Sequence, residues 1–185
     1  NRFMSTDSKR LIWLDLEMTG LDTFNDTIIE IATVVTDGNL SVIAEDPSLA
    51  IHQDDTILDN MDNWNKKTHS QSGLLKRVRK SNLTIADAEN MTLSFLKKIT
   101  NKEESPMCGN TICQDRRFLA RQMPQLESHF NYRNLDVTSL KIISQLWNPE
   151  VARSHSKNSN HLAMDDVYDS IYELKHYKNY LIKEE

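Results

Sequence analysis

The sequence predicts a single α/β domain, and two changes of pattern along the chain lead to that prediction. The first third contains short apolar runs rich in β-branched residues, at residues 11–16 and 28–35, which are typical of buried strands. From residue 84 onwards, apolar residues recur every three or four positions, which is the spacing of amphipathic helices. Helices covering a sheet are therefore expected within a chain of 185 residues, the size of one domain.

Three strands are expected in the N-terminal third. The second of the two apolar runs stops at Asp37 and Gly38, a dipeptide typical of hairpin turns. Residues 40–44 then return as a third strand, which residues 49–52 would continue beyond Pro47. This part of the chain is predicted to form a meander of adjacent strands.

Helices and short strands complete the predicted domain. Thr84 precedes a segment whose apolar positions extend to Ile99, and a threonine there can cap a helix. Residues 148–160 form a long polar connection, which is interpreted as a mobile loop, since long loops in compact domains are often functional. The other predicted elements are a strand at 106–109, a helix over 116–123, a strand at 135–137, a helix over 138–147 and a helix over 163–182.

Composition and charge restrict the classes of function. Lys and Arg total 22 against 27 Asp and Glu, a net charge of −5, so the chain has no general electrostatic attraction for nucleic acid or anionic membranes. No apolar stretch is long enough to cross a bilayer.

Two cysteines, Cys108 and Cys113, are too few for a disulfide framework, so a cytoplasmic location is expected. Residues 9–185 are expected to form the domain, and residues 1–8 a disordered or cloning-derived N-terminus.

A pair of acids ends the first predicted strand. Asp15 and Glu17 are separated by one residue, so strand alternation places both side chains on the same face. Two adjacent carboxylates repel each other unless a cation neutralises them, and hard oxygen ligands favour Mg²⁺ or Mn²⁺. The alternative interpretation is a solvated strand end.

A second group of polar residues lies where the long polar segment meets the last helix. His161 is followed by Asp165 and Asp166, and the acids would lie in the first helical turn, where the helix dipole favours negative charge. A histidine beside carboxylates can accept a proton from a metal-activated water. The alternative is an exposed loop histidine. Asp115 is a further acid, which by itself is typical of a helix start.

Taken in order, these motifs resemble the DEDDh exonuclease superfamily, and most closely its oligoribonuclease family. The resemblance extends over nearly the whole chain and implies a ribonuclease H-like fold, with a mixed central sheet flanked by helices. It also implies a 3′–5′ exoribonuclease that hydrolyses very short oligoribonucleotides, chiefly dinucleotides, to nucleoside 5′-monophosphates. The segments that carry it are residues 13–21, 28–33, 61–65, 114–119 and 161–166.

The resemblance assigns roles to individual residues. It implies two divalent cations, Mg²⁺ or Mn²⁺, with His161 as the general base. The implied metal ligands are Asp15, Glu17, Asp115 and Asp166. The implied substrate contacts are Leu21 as a wedge against a base, Trp64 as a stacking aromatic, Thr111, Arg133 and Thr138 around a 5′ phosphate, and His69 as a further phosphate contact. The family is homodimeric, and Tyr132 matches a residue that reaches into the partner's site.

The sequence departs from the family pattern at four positions. Thr111 and Thr138 stand where serine is more usual, but threonine keeps the hydroxyl donor. Cys113 replaces a common glycine, and Ser159 is a departure in the segment before the histidine.

Two other activities remain open from the sequence. Asp15, Glu17 and Thr19 imitate the nucleophile motif of haloacid-dehalogenase-type phosphatases, although Glu17 stands where that motif has aspartate. A proofreading-type exonuclease acting on longer strands is the second alternative. The basic run at residues 76–80 is interpreted as a solvated helix end. The net charge of −5 favours a substrate with few phosphates, because binding along a long polyanion needs many cationic contacts.

Overall fold

The computed structural model describes residues 8–155 and 161–181, which form a mixed sheet flanked by helices. The strands are β1 Arg10–Met18, β2 Ile28–Asp37, β3 Val42–Ala50, β4 Met107–Gly109 and β5 Asn134–Asp136. The helices are α1 Asp55–Leu58, α2 Asn63–Gln71, α3 Leu74–Lys80, α4 Ile85–Leu96, α5 Ile112–Gln122, α6 Pro124–Glu127, α7 Val137–Trp147, α8 Pro149–Arg153 and α9 Ala163–Leu181. The strand order is β3-β2-β1-β4-β5. The first three strands are antiparallel, and β4 and β5 are parallel to β1.

The central strand β1 divides the core into two layers. Ile12 and Leu14 point into one cluster, where Phe118 of α5 packs. Trp13 points to the other face and packs in a cluster with Val167 and Ile171 of α9. Because successive side chains of a strand alternate between faces, the residues that follow Trp13 at every second position also face the α9 side.

Most of the predicted elements are confirmed. The predicted strands and the last helix lie where the pattern placed them, and Thr84 caps α4 in a reciprocal capping box with Asp87. The third strand continues through Pro47, and its pairing with β2 shifts register there, between Ile31 and Thr33. Proline is tolerated because β3 is an edge strand, where a missing backbone N–H costs little. α5 begins at Ile112, earlier than predicted, after Thr111 adopts a left-handed conformation with φ 51°.

Several helices were missed by the sequence pattern. α1, α2 and α3 occupy a region for which only a basic helix end was predicted, and α8 occupies part of the predicted loop at residues 148–160. The polar sequence of α2 buries only His69, so it carries little apolar periodicity. The predictions for residues 1–7, for Ser159 and for the end of the last helix beyond Leu181 lie outside the described residues. Within the described ranges, no helix is both long enough and apolar enough to cross a membrane.

Candidate active site

Three carboxylates meet where β1 ends. Asp15 and Glu17 come from β1, and Asp166 comes from the first turn of α9. One carboxylate oxygen from each residue lies within 4.8 Å of the other two. Asp166 is buried and the two strand acids are partly buried. Like charges gathered this closely out of full solvent favour a bound cation, and the all-oxygen donor set fits Mg²⁺ or Mn²⁺.

The sheet geometry explains why these acids meet. Asp15 and Glu17 follow Trp13 at every second position of β1, so they share its face. Because Trp13 packs with Val167 of α9, the helix lies over this face and its N-terminal turn lies at the strand end. The partial positive charge of a helix N-terminus stabilises the carboxylate of Asp166 there.

Asp115 lies next to this cluster in a different arrangement. Its buried Oδ1 accepts a hydrogen bond from the backbone N–H of Leu16, at 2.9 Å, and Leu16 lies between the two strand acids. Burial raises the pKa of Asp115 to about 7, and the nearby carboxylates of Asp136 and Asp166 act in the same direction. The cluster found among the described residues contains three of the four predicted ligands and not Asp115. Its role as a ligand stays a prediction.

His161 lies immediately before α9, beside the pocket. Its backbone is left-handed, with φ 50°, and its ring contacts the Trp64 ring edge-to-face with 5.6 Å between centroids. The predicted general base is thereby placed between α2 and the first turn of α9. The segment proposed to deliver it includes residues 156–160, which lie outside the described residues.

A pocket of about 590 Å³ opens beside the acids. Leu21 and Trp64 line it, and their side chains are 69% and 62% exposed. Trp64 is therefore not a core residue, and both side chains are accessible to a base. Glu17 lines the same pocket, so the pocket is continuous with the acid cluster.

His69 lies beneath the cluster and is only 1% exposed. Its Nε2 is 3.0 Å from the carbonyl oxygen of Met18, and its Nδ1 is 3.8 Å from Oε2 of Glu17. Burial lowers the pKa of the ring. The structure brings His69 to the end of β1, whereas its predicted contact with a phosphate stays a prediction.

Thr111 and Thr138 form a hydroxyl pair at the start of α5. Their Oγ1 atoms are 3.1 Å apart, and the Thr111 N–H donates to Oγ1 of Thr138 and to Oδ1 of Asp136, each at 2.9 Å. Thr138 Oγ1 in turn donates to the side-chain oxygen of Asn110, at 3.1 Å. The Thr111 hydroxyl is exposed and is the member of the pair whose proton can turn toward a ligand.

Tyr132 and Arg133 lie on an exposed loop beside α5. The Arg133 guanidinium lies 4.7 Å from the centre of the Tyr132 ring, and Tyr132 is 76% exposed. Arg116, the residue after Asp115, donates to the carbonyl of Asn131 at 3.0 Å and to Oδ1 of Asn134 at 2.8 Å. This arginine therefore ties the loop to the helix that carries Asp115.

Sequence reasoning missed buried or capping residues that form hydrogen bonds to the elements of the site. Asp136 caps α7 and accepts from Thr111, and Asn110 joins Thr138 to Glu173 of α9. Glu30 is fully buried within β2. An acid inside a strand of apolar residues is the one signal that could have drawn attention to it, since such an acid needs a buried partner.

The fold and this site, together with a matching family model, define a nuclease-type enzyme. A family model described as Exonuclease matches residues 12–174. The structure resembles that of E. coli Exonuclease I in complex with a dA16 oligonucleotide, with a TM-score of 0.72 and 17% identity, covering 93% of this chain. The chain spans 41% of the length of that protein, and the likeness concerns the fold, which confirms the predicted mixed sheet.

Sequence relatives give the narrower assignment. The chain is 60% identical to an oligoribonuclease of Acinetobacter baylyi over 176 residues, which cover 95% of this chain and 96% of the relative. It is 58% identical to an oligoribonuclease of Halorhodospira halophila, with 94% of each covered. The chain therefore belongs to the exonuclease family that the model describes and, within it, to the oligoribonucleases. This confirms the predicted family and removes support for the phosphatase alternative.

Proposed function

We propose that the protein is a divalent-metal-dependent 3′–5′ exoribonuclease that hydrolyses very short oligoribonucleotides, chiefly dinucleotides, to nucleoside 5′-monophosphates. The observation that carries the proposal is the acid cluster of Asp15, Glu17 and Asp166 beside the pocket lined by Leu21 and Trp64. The names of the relatives support ribonucleotides as substrate. The cluster would be next to the scissile phosphate when a base lies in the pocket.

The residues of this chain divide the work of hydrolysis. Asp15, Glu17 and Asp166, together with Asp115, would hold two divalent cations, which supply Lewis acidity to the phosphate and to the attacking water. His161 would take a proton from that water as its oxygen bonds to phosphorus. The bond from phosphorus to the 3′ oxygen of the neighbouring nucleotide breaks, and that oxygen gains a proton. One nucleoside 5′-monophosphate leaves from the 3′ end.

The preference for short substrates is supported by the residues around α5. Thr111 is the N-cap residue of α5 and Asp115 lies in the first turn of that helix, so the two residues are about one helical turn apart. The Thr111–Thr138 hydroxyl pair and Arg133 would then bind the 5′ phosphate a short distance from the acids. The net charge of −5 agrees with a substrate that carries one or two phosphates.

A homodimer is part of the proposal. Ile142, Leu146 and Trp147 on α7 are 51%, 69% and 78% exposed, close to one another along the helix, and exposed apolar patches mark interaction sites. A second copy of the chain would cover this patch and bring Tyr132 toward the partner's site. Light scattering tests this: the wild type should have twice the mass of the chain, whereas Leu146→Arg should be monomeric. A monomeric wild type would refute the dimer.

We place the enzyme in the cytoplasm, in agreement with its two free cysteines.

Product analysis tests the proposed activity. A 5′-labelled RNA dinucleotide is incubated with Mg²⁺, with Mn²⁺ or with a chelator. The proposal requires nucleoside 5′-monophosphate in both metal samples and none with the chelator. A DNA dinucleotide measures the preference for ribose in the same assay. Cleavage that persists in the chelator, or release of 3′-phosphorylated products, would contradict the proposed reaction.

A further inference from the structure

We propose that Glu30 is a positioning residue, which holds the N-terminus of α9, and with it Asp166 and His161, over the acids of β1. The inference rests on the proposed function, since it assigns a role to a residue that contacts neither substrate nor cation in that scheme. Glu30 lies opposite Glu17 in the register of β1 and β2, so it shares the face that α9 covers.

The contacts of the Glu30 carboxylate join three elements. Its Oε2 accepts the backbone N–H of Ala163, the first residue of α9, at 3.2 Å. Its Oε1 accepts a hydrogen bond from the Ser48 hydroxyl of β3 at 2.9 Å and pairs with Nη1 of Arg77 on α3 at 2.6 Å. Both oxygens of Glu30 thus have protein partners.

In this arrangement, a side chain of β2 caps the N-terminus of α9. The first N–H groups of a helix have no acceptor within the helix, and a carboxylate near them is stabilised by the helix dipole. A fully buried carboxylate is costly unless it is paired. Arg77 supplies that pairing from the predicted solvated helix end, with its side chain still 39% exposed.

The cap lies between the two residues that it positions. His161 lies two residues before Ala163 in a left-handed conformation, which a non-glycine residue keeps only when its surroundings hold it. Asp166 lies one helical turn after Ala163. Fixing the Ala163 N–H therefore fixes the chain on both sides, and the position of the proposed base is coupled to that of a proposed ligand.

Glu30→Gln tests the proposal because one amide oxygen cannot serve both sides of the carboxylate. The variant keeps the side-chain volume but loses either the contact with Ala163 or the pairing with Arg77. We expect kcat for an RNA dinucleotide to fall about 10- to 100-fold, the usual range for residues that support metal ligands. KM should change less than about threefold, since the side chains of Leu21 and Trp64 are not on α9. Mn²⁺ affinity, measured by the EPR signal of free Mn²⁺, should weaken as Asp166 shifts.

Matched variants on α3 keep the test decisive if Glu30→Gln does not fold. Arg77→Ala should reproduce the loss of kcat and of Mn²⁺ affinity, and Arg77→Lys should restore part of both. Arg79→Ala is the control. Arg79 lies on the same helix as Arg77 but pairs with exposed Asp55 of α1 at 2.7 Å, so this variant should behave as wild type.

Two results would overturn the inference. One is a folded Glu30→Gln protein whose kcat and Mn²⁺ affinity match the wild type. The other is an Arg77→Ala protein that is less stable but fully active. If the wild type itself failed to cleave the dinucleotide while Mn²⁺ affinity still depended on Glu30 and Arg77, the proposed function would fail and the positioning role would stand.

Discussion

Replacing Trp64 with alanine tests whether the exposed aromatic binds a base. The side chain is 62% exposed and lines the pocket beside the acids. Stacking of a base on an aromatic ring contributes about 1–3 kcal/mol. Loss of that contact should therefore raise KM for an RNA dinucleotide roughly 5- to 150-fold.

The same substitution should have little effect on folding. Removal of a fully buried tryptophan costs about 3–5 kcal/mol of unfolding free energy. For an exposed side chain we expect a change within about 0.5 kcal/mol, measured by urea unfolding. Binding and stability thus give opposite expectations for a stacking residue and for a core residue.

The assay is a steady-state comparison of Trp64→Ala, Trp64→Phe and the wild type on the same dinucleotide. Phenylalanine keeps an aromatic face and should recover most of the affinity. Tyr180→Ala is the control, since Tyr180 is 65% exposed and does not line this pocket. An unchanged KM in Trp64→Ala, or a loss of stability comparable to that of a core residue, would refute the stacking role.

Three further predictions concern a cap, a buried histidine and a buried acid. Thr84→Ala removes the capping box of α4 and should lower the unfolding free energy by about 1 kcal/mol, whereas Thr84→Ser should not. Burial lowers the pKa of His129 below 6.5, so the unfolded chain binds more protons below that pH and stability should fall as pH decreases from about 6.5. His129→Gln should reduce this loss of unfolding free energy, and His52→Gln, at an exposed position, should not. Urea unfolding at pH 7.5 and 5.5 measures the loss, and an equal loss in the wild type and in His129→Gln would contradict the prediction. Asp115→Ala should reduce kcat/KM by roughly a hundredfold or more, and unchanged cleavage would remove it from the site.

The regular parts of the fold were predictable because their patterns are local. β1 and β2 are buried runs that end at turn residues, and α9 has an apolar stripe along one face. The cap at Thr84 is likewise contained within four residues. α2 could not be predicted in this way, because its polar sequence contributes one buried side chain and its position depends on contacts with β1.

The candidate site shows the same division between local and distant information. The spacing of Asp15 and Glu17 predicts a shared face, and the motif order brought Asp166 and His161 into one hypothesis. The pairing of Glu30 with Arg77 joins β2 to α3, and no local pattern indicates which basic residue of that helix points inward. Only the tertiary structure shows that Arg77 pairs with buried Glu30 whereas Arg79 pairs with exposed Asp55.

A competition time course with an RNA dinucleotide and an RNA twenty-mer in one Mg²⁺ reaction tests the central claim most directly. Both substrates carry a 5′ label, so the rates are measured side by side with the same enzyme. The account predicts that kcat/KM for the dinucleotide exceeds that for the twenty-mer by at least about tenfold, equivalent to 1.4 kcal/mol. Equal or faster shortening of the twenty-mer would contradict a site built for the shortest substrates and would favour a proofreading-type exonuclease.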